Sequence, residues 1–551
     1  MNSYDEYYPR PLLQRDSFFS LNGEWLLNGK KINVPFCRES RLSGYENDKN
    51  TVMEYEKRFI LPEGFHDEKK LTILHFGAVD QKCDVFLNDI FLAHNEGGYL
   101  PFEADISSSL RKENILKVVA RDELDPFYPY GKQSKDPHGM WYTPVSGIWQ
   151  SVWIEERSED AIKDLHIHTD TDKVILDIDS DAEEFFFQVK MDEETIEKRF
   201  TEKHFELDLS QVKRSLWSND SPKLYEFTLK TENDEIRSYF ALRKLSVKEV
   251  GKHKRLFLND EPVFLNGVLD QGYFPEGIFT PEDVREYERD ILSMKELGYN
   301  FIRKHIKVEP EAFYYYCDKH GILVMQDMVN SGEYSFFRDT ALPTIGLKRK
   351  TDKVRDQRVL DFFLYYSQKT IRHLSSHPCI IAYTIYNEGW GQQASTLSYR
   401  TLKQEDPDRL FDTASGWFRG GASDFDSEHI YFRNSILMGL ERVLLLSECG
   451  GYTRKIEGHV YKEDGKYGYG KTESEEELTS AIIRMHEKMT VPSIRNGLCG
   501  VVMTQLSDIE EEINGLYTYD RKVCKVNKQR IIDENLRLQK LYRECIEKGE
   551  V

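Results

Sequence analysis

After Gly251 the sequence alternates between short apolar runs and helix-length amphipathic segments, and this alternation constrains the fold more than any other feature. The pattern is typical of parallel β/α units. Eight candidate strands in about 300 residues predict a (β/α)₈ barrel, whose active site lies at the carboxyl ends of its strands. The predicted strands are 264–270, 301–305, 323–327, 380–388, 410–415, 428–431, 443–448 and 501–506.

The first barrel helix has clear boundary signals in the sequence. Thr280 is predicted as its N-cap and Pro281 as its first helical residue, and Gly298 ends it. The apolar side chains between them fall on one helical face, so this helix is expected to pack on the barrel.

The chain before residue 249 has a different pattern, with short alternating stretches broken by turn residues. Such stretches are typical of antiparallel strands that are buried on one face. We predict an all-β sandwich over residues 1–156 and a second, immunoglobulin-like sandwich over 157–248, because ~90 residues suit that fold. The barrel then occupies 249–551, and the fold class is multidomain, β followed by α/β.

Composition excludes several classes of partner and cofactor. The formal charge is −20, which disfavours nucleic acid and anionic membrane surfaces. No run approaches the ~18 apolar residues of a membrane span, and the amino terminus lacks a signal-peptide pattern, so a cytoplasmic protein is expected. Eight scattered cysteines favour reduced thiols. No motif for a metal or another cofactor appears, so none is expected.

Two predicted barrel strands end in a glutamate. The fourth delivers Glu388 and the seventh delivers Glu448 to the barrel mouth. Glycoside hydrolysis needs two facing carboxyl groups, because one protonates the departing oxygen while the other supports positive charge at the anomeric carbon. At a separation of ~5 to 5.5 Å the second carboxylate attacks that carbon directly, and the configuration is retained.

The sequence resembles glycoside hydrolase family 2, which includes β-galactosidases, β-glucuronidases and β-mannosidases. Residues 387–390 (Asn-Glu-Gly-Trp) resemble the acid/base motif of the family, and 446–450 (Leu-Ser-Glu-Cys-Gly) resemble its nucleophile motif. Further landmarks occur in the family's order over ~500 residues, which implies a jelly-roll sandwich, an immunoglobulin-like sandwich and a barrel. These landmarks are 146–150, 152–153, 300–305 and the set Trp217, Pro222, Leu224 and Tyr225.

The resemblance assigns roles to individual residues. It implies that Glu388 is the proton donor and later the general base, and that Glu448 is the nucleophile. Asn387 is implied to hold the 2-hydroxyl of the sugar, and Arg303 to position the carboxylates. His305 lies on the same matched segment as Arg303 and is predicted to contact the substrate.

Other strand-end residues are weaker candidates for the sugar pocket. His429 resembles a histidine on the family's sixth strand that donates to a hydroxyl. Trp417 fits either a stacking wall or core packing, and Trp390 and Gln505 are predicted to line the pocket. Asp270 lies in a run, 267–273, that replaces a histidine-containing stretch of well-known members, and it is the candidate for binding a sugar hydroxyl there.

The nature of the sugar depends on one departure from the family pattern. β-Glucuronidases carry an Asn-x-Lys pair that grips the uronate carboxylate, whereas the equivalent place here is Glu512-Ile513-Asn514. A glutamate repels a carboxylate, which favours a neutral sugar. A cation from elsewhere would reverse that preference, and the candidates for it are Arg303, Lys304, Lys307 and Arg338.

These observations predict a retaining exo-β-glycosidase that acts on a small glycoside or oligosaccharide, with a β-D-galactoside as the favoured substrate. A β-uronidase of the same family is the alternative. A non-catalytic glycan-binding protein is the alternative from another class, and turnover of any activated glycoside separates the two classes. The family often forms dimers or tetramers, so a homo-oligomer is also expected.

Overall fold

The computed structural model describes residues 3–46, 50–65, 67, 69–344, 351–418 and 421–549. It contains two β-sandwiches followed by a parallel barrel, so the fold class predicted from the sequence is confirmed. Each of the three units has a cluster of buried apolar side chains, and the largest cluster fills the barrel and extends to its contacts with the first sandwich.

The first sandwich packs a six-stranded antiparallel sheet on a four-stranded one. Trp25, Tyr55 and Phe76 are among the side chains buried between the sheets. In spatial order the larger sheet comprises Lys30–Val34, Gly23–Leu27, Val52–Phe59, Asn114–Arg121, Lys82–Leu87 and Ile90–Glu96. The smaller sheet comprises Phe19–Ser20, Val152–Arg157, Leu71–Phe76 and Phe102–Asp105.

The second sandwich is smaller and packs three antiparallel strands on four. A hairpin then leads into the barrel. The sandwich sheets comprise Asp164–Thr169, Lys173–Asp179 and His204–Asp208, and Thr195–Phe200, Phe185–Lys190, Tyr225–Lys230 and Glu235–Phe240. The hairpin sheet comprises Leu245–Val250, His253–Leu258 and Glu261–Pro262.

Eight parallel strands form the barrel, in the spatial order β5-β4-β3-β2-β1-β8-β7-β6. Between β5 and β6, in the residues that the structure describes, the backbones form no ladder. One backbone–backbone hydrogen bond, from the Asp424 amide to the Phe411 carbonyl, spans the gap, together with side-chain hydrogen bonds. The strands are β1 (Leu265–Asp270), β2 (Phe301–Lys304), β3 (Leu323–Asp327), β4 (Ile380–Asn387), β5 (Leu410–Ser415), β6 (Phe425–Ile430), β7 (Val443–Gly450) and β8 (Leu498–Thr504).

Helices cover most of the barrel, but the described parts of the β5–β6 and β6–β7 connections carry none. These two connections leave the mouth near β6 lined by loops. The main helices are Glu286–Glu296, Glu311–His320, Gln357–Leu374, Ser395–Glu405, Glu475–Met485, Val491–Arg495 and Lys528–Glu547, with π-helical turns at Phe337–Ala341 and His486–Thr490.

Several boundaries differ from those predicted, and β6 for example begins at Phe425 rather than at residue 428. The first barrel helix begins at Glu286 rather than at Pro281, because the Thr280 hydroxyl donates to the Trp149 carbonyl, 2.5 Å away, and caps no helix. Strand β8 begins at Leu498 rather than at residue 501. Gly500 therefore lies inside the strand, where a Cβ atom would stand 2.6 Å from the Leu265 Cβ, so the glycine permits close packing rather than marking a turn.

Candidate active site

Two buried glutamates meet at the mouth of the barrel. Glu388 follows β4 directly and Glu448 lies in β7, and only 6% and 5% of their surfaces are exposed. His429 of β6 joins them: its Nδ1 lies 2.9 Å from Glu388 Oε1 and its Nε2 lies 3.5 Å from Glu448 Oε1. One oxygen of each carboxylate and a ring nitrogen of His429 lie within 4.8 Å of one another. This short separation is that of a retaining rather than an inverting pair of carboxyl groups.

The backbone at Glu388 adopts the left-handed conformation, with φ of 48°. A residue other than glycine rarely adopts it without support. The support comes from the Glu388 amide, which donates to the Ser415 carbonyl at 2.9 Å, and from Gly389, where a Cβ would stand 2.2 Å from the Phe418 ring. This local fold turns the carboxylate away from the line of β4 and toward β6 and β7.

Glu448 is surrounded by donors. Arg303 Nη1 donates to Oε1 at 3.0 Å, and the Tyr431 hydroxyl donates to Oε2. Burial by itself raises the pKa of the Glu448 carboxyl, but the positive charges of His429, when protonated, and of Arg303 outweigh it and lower this pKa to about 2. Glu448 is therefore ionised at neutral pH, as a nucleophile must be.

The guanidinium of Arg303 organises the centre of the site. It is fully buried, and Nε and Nη2 bind the two oxygens of Asp327 at 3.0 and 2.9 Å. Nη2 also donates to Asn387 Oδ1 at 2.8 Å, and Nη1 lies 3.2 Å from His429 Nε2. The ring of His429 thus faces Arg303 through Nε2 and Glu388 through Nδ1.

His305 contacts the same carboxylate as Arg303, that of Asp327. Its Nδ1 is 2.7 Å from Asp327 Oδ2, and only 3% of the residue is exposed. Burial and the charge of Lys132 lower the pKa of His305 to about 4, so the ring is neutral at pH 7 and fixes the orientation of Asp327.

The structure brings together most of the strand-end candidates but places Asp270 in a separate cluster. Asp270 binds Lys304 Nζ at 2.7 Å, and Lys304 also pairs with Glu309 and lies over the ring of Phe313 of a barrel helix. This cluster lies outside the barrel, so Asp270 does not point toward the sugar pocket. Gln505, just after β8, accepts from Gln271 and donates to Asn514, and these two side chains in turn donate to Tyr142 and Glu512.

Trp390 and Trp417 have different surroundings. Trp390 is buried and stacks on Trp141 of the first sandwich, with ring centroids 5.2 Å apart, and its indole nitrogen has no hydrogen-bond acceptor among the described residues. Trp417 is half-buried just after β5. Both follow strands that carry site residues, and Trp390 forms a wall beside Glu388.

Several residues of the site cannot be predicted from the positions of the barrel strand ends. Tyr431 lies two residues after His429, and its position just past β6 is a signal in the sequence that could have identified it. Lys132, Trp141 and Tyr142 come from the first sandwich, and their only signal is that they precede the 146–150 landmark. Lys132 Nζ lies over the rings of both Tyr142 and Trp390, 5.7 and 5.6 Å from the centroids.

Glu388, His429 and Glu448 also form the one group of potential metal ligands detected in the described part of the chain. The Arg303 guanidinium already neutralises Glu448 from 3.0 Å, so the geometry favours a catalytic pair over a cation site. Among the described helices, none is both long and apolar enough to cross a membrane.

Comparison with known proteins covers both the first sandwich and the barrel. Residues 19–164 match a family model described as the glycosyl hydrolase 2 galactose-binding domain-like, and residues 249–434 match that of the glycosyl hydrolases family 2 TIM barrel domain. A β-galactosidase of Thermoanaerobacter pseudethanolicus is 24% identical over 334 residues, which are 55% of this chain and 43% of that protein. A β-galactosidase of Leuconostoc mesenteroides is 23% identical over 459 residues, 77% of this chain and 41% of that protein.

The chain thus spans less than half the length of these curated relatives. Among solved structures, the β-D-glucuronidase of Dictyoglomus thermophilum superposes with a TM-score of 0.76 at 19% identity, over 97% of this chain and 98% of that one. At this level of identity the superposition shows a shared fold, and it leaves the preferred sugar open.

Proposed function

Because the chain belongs to glycoside hydrolase family 2, we propose that it is a retaining exo-β-glycosidase that acts by double displacement through Glu388 and Glu448. The observation that carries the proposal is the buried pair itself, with carboxylate oxygens within 4.8 Å and His429 between them. A separation near 5 Å leaves no room for a water molecule between the sugar and the second carboxylate, as inversion would require.

In the first step the ionised Glu448 attacks the anomeric carbon, and Glu388 protonates the departing glycosidic oxygen. Arg303 holds Glu448 in place and keeps it charged until attack. Tyr431 donates to the other oxygen of Glu448. Asn387, whose side-chain oxygen is held by Arg303, presents its NH₂ group for the 2-hydroxyl of the sugar.

In the second step Glu388, now a carboxylate, removes a proton from water as the water attacks the anomeric carbon. The ester bond to Glu448 breaks, and the nucleophile regains its charge. His429 Nδ1 lies 2.9 Å from Glu388 Oε1, where a protonated imidazole stabilises the carboxylate that the first step creates. The two carboxyl groups thus exchange charge states during one turnover.

The favoured sugar is β-D-galactose. The curated relatives are named β-galactosidases, and Glu512 supports a neutral sugar because its buried carboxylate would repel a substrate carboxylate. Glu512 accepts from the Tyr142 hydroxyl and from Asn514 Nδ2, so it is held as a fixed acceptor beside the pocket.

A β-uronide is the second candidate, and Lys132 is the observation that favours it. Three of the cations predicted from the sequence already form ion pairs with protein carboxylates. Lys304 and Lys307 pair with Glu309, and Arg338 pairs with Asp339. Lys132 has no ion-pair partner among the residues that the structure describes, and its charge acts on Glu448 and His305. An ammonium group in this position could bind the carboxylate of a uronate.

The Lys132→Gln variant separates the two candidates. If Lys132 binds a uronate carboxylate, kcat/KM for a p-nitrophenyl β-uronide falls by about 10- to 100-fold relative to that for the galactoside, because a charge-assisted hydrogen bond is lost. Lys31→Gln, at an exposed lysine of the same sandwich, is the matched control. An equal fall on both substrates would mean that Lys132 acts only through the charge of Glu448.

The function as a whole is tested by a panel of p-nitrophenyl β-glycosides: galactoside, glucuronide, galacturonide, glucoside, mannoside and fucoside. We expect hydrolysis of the galactoside above the others, with β-configured sugar as the first product detected by NMR. Preference for a uronide would select the second candidate. An α-configured first product would contradict the retaining mechanism, and silence across the panel would favour a glycan-binding protein.

A further inference from the structure

A cavity of about 750 Å³ opens beside the acid/base side of the site. Its walls come from a loop of the first sandwich, from the loop after β3 and from the β7–β8 connection. We call it the aromatic cavity and define it by Met140, Trp141, Tyr334, Phe336 and Tyr467. Nothing in the catalytic steps described above uses it.

The aromatic cavity adjoins Glu388 through Trp390, which lies two residues after it. Trp141 stacks on Trp390, and the Tyr334 ring meets Trp390 edge-on at 5.5 Å. The charge of Glu388 contributes, after burial, to raising the pKa of both Tyr334 and Tyr467. The acid/base carboxyl protonates the glycosidic oxygen of the leaving group. The leaving group must therefore lie in the space beside this carboxyl.

The chemistry of the lining selects the kind of leaving group. The buried polar groups of the cavity are already paired: Gln133 binds Asp80, Tyr99 and the Val145 amide, and the Tyr130 hydroxyl donates to the Gly332 carbonyl. The buried part of the cavity therefore offers few free polar groups to a ring of hydroxyls, and the remaining polar side chains, Ser134, Lys135, His138 and Glu333, lie toward solvent.

The cavity instead exposes the faces of aromatic side chains. Trp141, Tyr334 and Tyr467 are half-buried, and Phe336 is 64% exposed. Large exposed apolar side chains that cluster around a cavity mark a binding site for an apolar partner. Planar rings stack on such faces with little loss of conformational freedom.

Resting on the proposed function, we propose that the aromatic cavity is the aglycone site and that it takes a planar, apolar aglycone such as an aromatic alcohol. The natural substrates are then aryl or arylalkyl β-glycosides rather than oligosaccharides. In this arrangement the sugar lies over Glu448, and the aglycone lies between Trp141 and the loop that carries Tyr334.

The first test compares the benzyl and ethyl β-glycosides of the sugar that the panel selects. Both leaving groups are alkanols, so chemistry alone gives them similar rates, whereas ring burial should raise kcat/KM for the benzyl compound on the order of tenfold or more. In Trp141→Ala this ratio should fall toward one. Phe91→Ala, at an exposed aromatic residue of the strand Ile90–Glu96 that does not line the cavity, should leave the ratio unchanged.

Trp141 packs on Trp390, so its loss could also disturb Glu388. Such a disturbance lowers both rates together and leaves the ratio intact, which would overturn the inference, as would a ratio near one in the unmodified protein. Phe336→Ala repeats the test at a side chain with no ring contact to Trp390 among the described residues, and it should lower the ratio in the same direction.

A second test needs no turnover. Binding of 4-methylumbelliferone, followed by its fluorescence polarisation, should weaken about tenfold in Trp141→Ala and not in Phe91→Ala. Equal binding by both variants, or no binding to the unmodified protein, would overturn the aglycone assignment even if the glycosides are hydrolysed. If neither the benzyl nor the ethyl glycoside is hydrolysed but 4-methylumbelliferone binds as expected, the result would count against the proposed function and not against the aglycone site.

Discussion

Replacing Glu448 by glutamine is expected to lower kcat on the order of 10⁴-fold or more, because an amide cannot attack the anomeric carbon. Glutamine has the size of glutamate and still accepts from Arg303, and Arg303 keeps its two bonds to Asp327. The fold should therefore survive, with a far-UV CD spectrum and melting temperature close to those of the unmodified protein. Turnover is measured on the best p-nitrophenyl glycoside of the panel.

The matched control is Glu510→Gln, at a buried glutamate of the same barrel mouth that accepts only from the Thr143 amide among the described residues. It should retain most of its activity. A sharper test uses Glu448→Ala with added azide, because azide can enter the vacated space and attack from the same face. An α-glycosyl azide would identify Glu448 as the nucleophile. Undiminished hydrolysis by Glu448→Gln would refute the assignment.

Replacing Glu388 by alanine should give the second largest effect, and its size should depend on the leaving group. For an alkyl glycoside, whose alkoxide leaves only when protonated, we expect kcat/KM to fall about 10³-fold or more. For a 2,4-dinitrophenyl glycoside the leaving group needs no proton, so the first step should be nearly unaffected. Stopped-flow measurement should then show a burst of dinitrophenol, because hydrolysis of the glycosyl-enzyme has lost its base.

The pH dependence offers a second readout of Glu388. The alkaline limb of kcat/KM reports loss of the proton from the general acid, so that limb should disappear in Glu388→Ala for the dinitrophenyl substrate. The acid limb belongs to the nucleophile, whose pKa of about 2 keeps it charged down to strongly acidic pH. Equal losses on both glycosides would show that Glu388 supports the fold rather than departure of the leaving group.

The proximity of Glu388 and Glu448 could be predicted because parallel strands of a barrel all end at one rim. A glutamate at the end of β4 and another near the end of β7 must therefore approach each other, whatever the details of the loops. Asp270 could not be placed in the same way, because successive side chains of a strand alternate between its two faces. Leu269 pairs in register with Arg303, so Asp270 falls beside Lys304 on the outer face.

The contribution of the first sandwich could not be predicted from periodicity. Local patterns determine the strands of each domain, but the way two domains dock depends on contacts between residues far apart in the sequence. Trp141 and Trp390 are separated by about 250 positions in the sequence, yet their rings stack. Sequence patterns therefore point to barrel residues for a cation near the pocket, whereas Lys132 comes from the first sandwich.

The gap between β5 and β6 links the active site to the stability of the barrel. Where the backbones form no ladder, side chains span the gap: Ser415 Oγ lies 2.9 Å from both His429 Nε2 and Ser447 Oγ, and Arg303 reaches His429 from the opposite wall. Side chains of the candidate active site thus also connect the barrel strands across the gap. An inhibitor that binds these side chains tightly should raise the melting temperature of the protein. Thermal denaturation can therefore serve as a label-free assay for ligands of the protein.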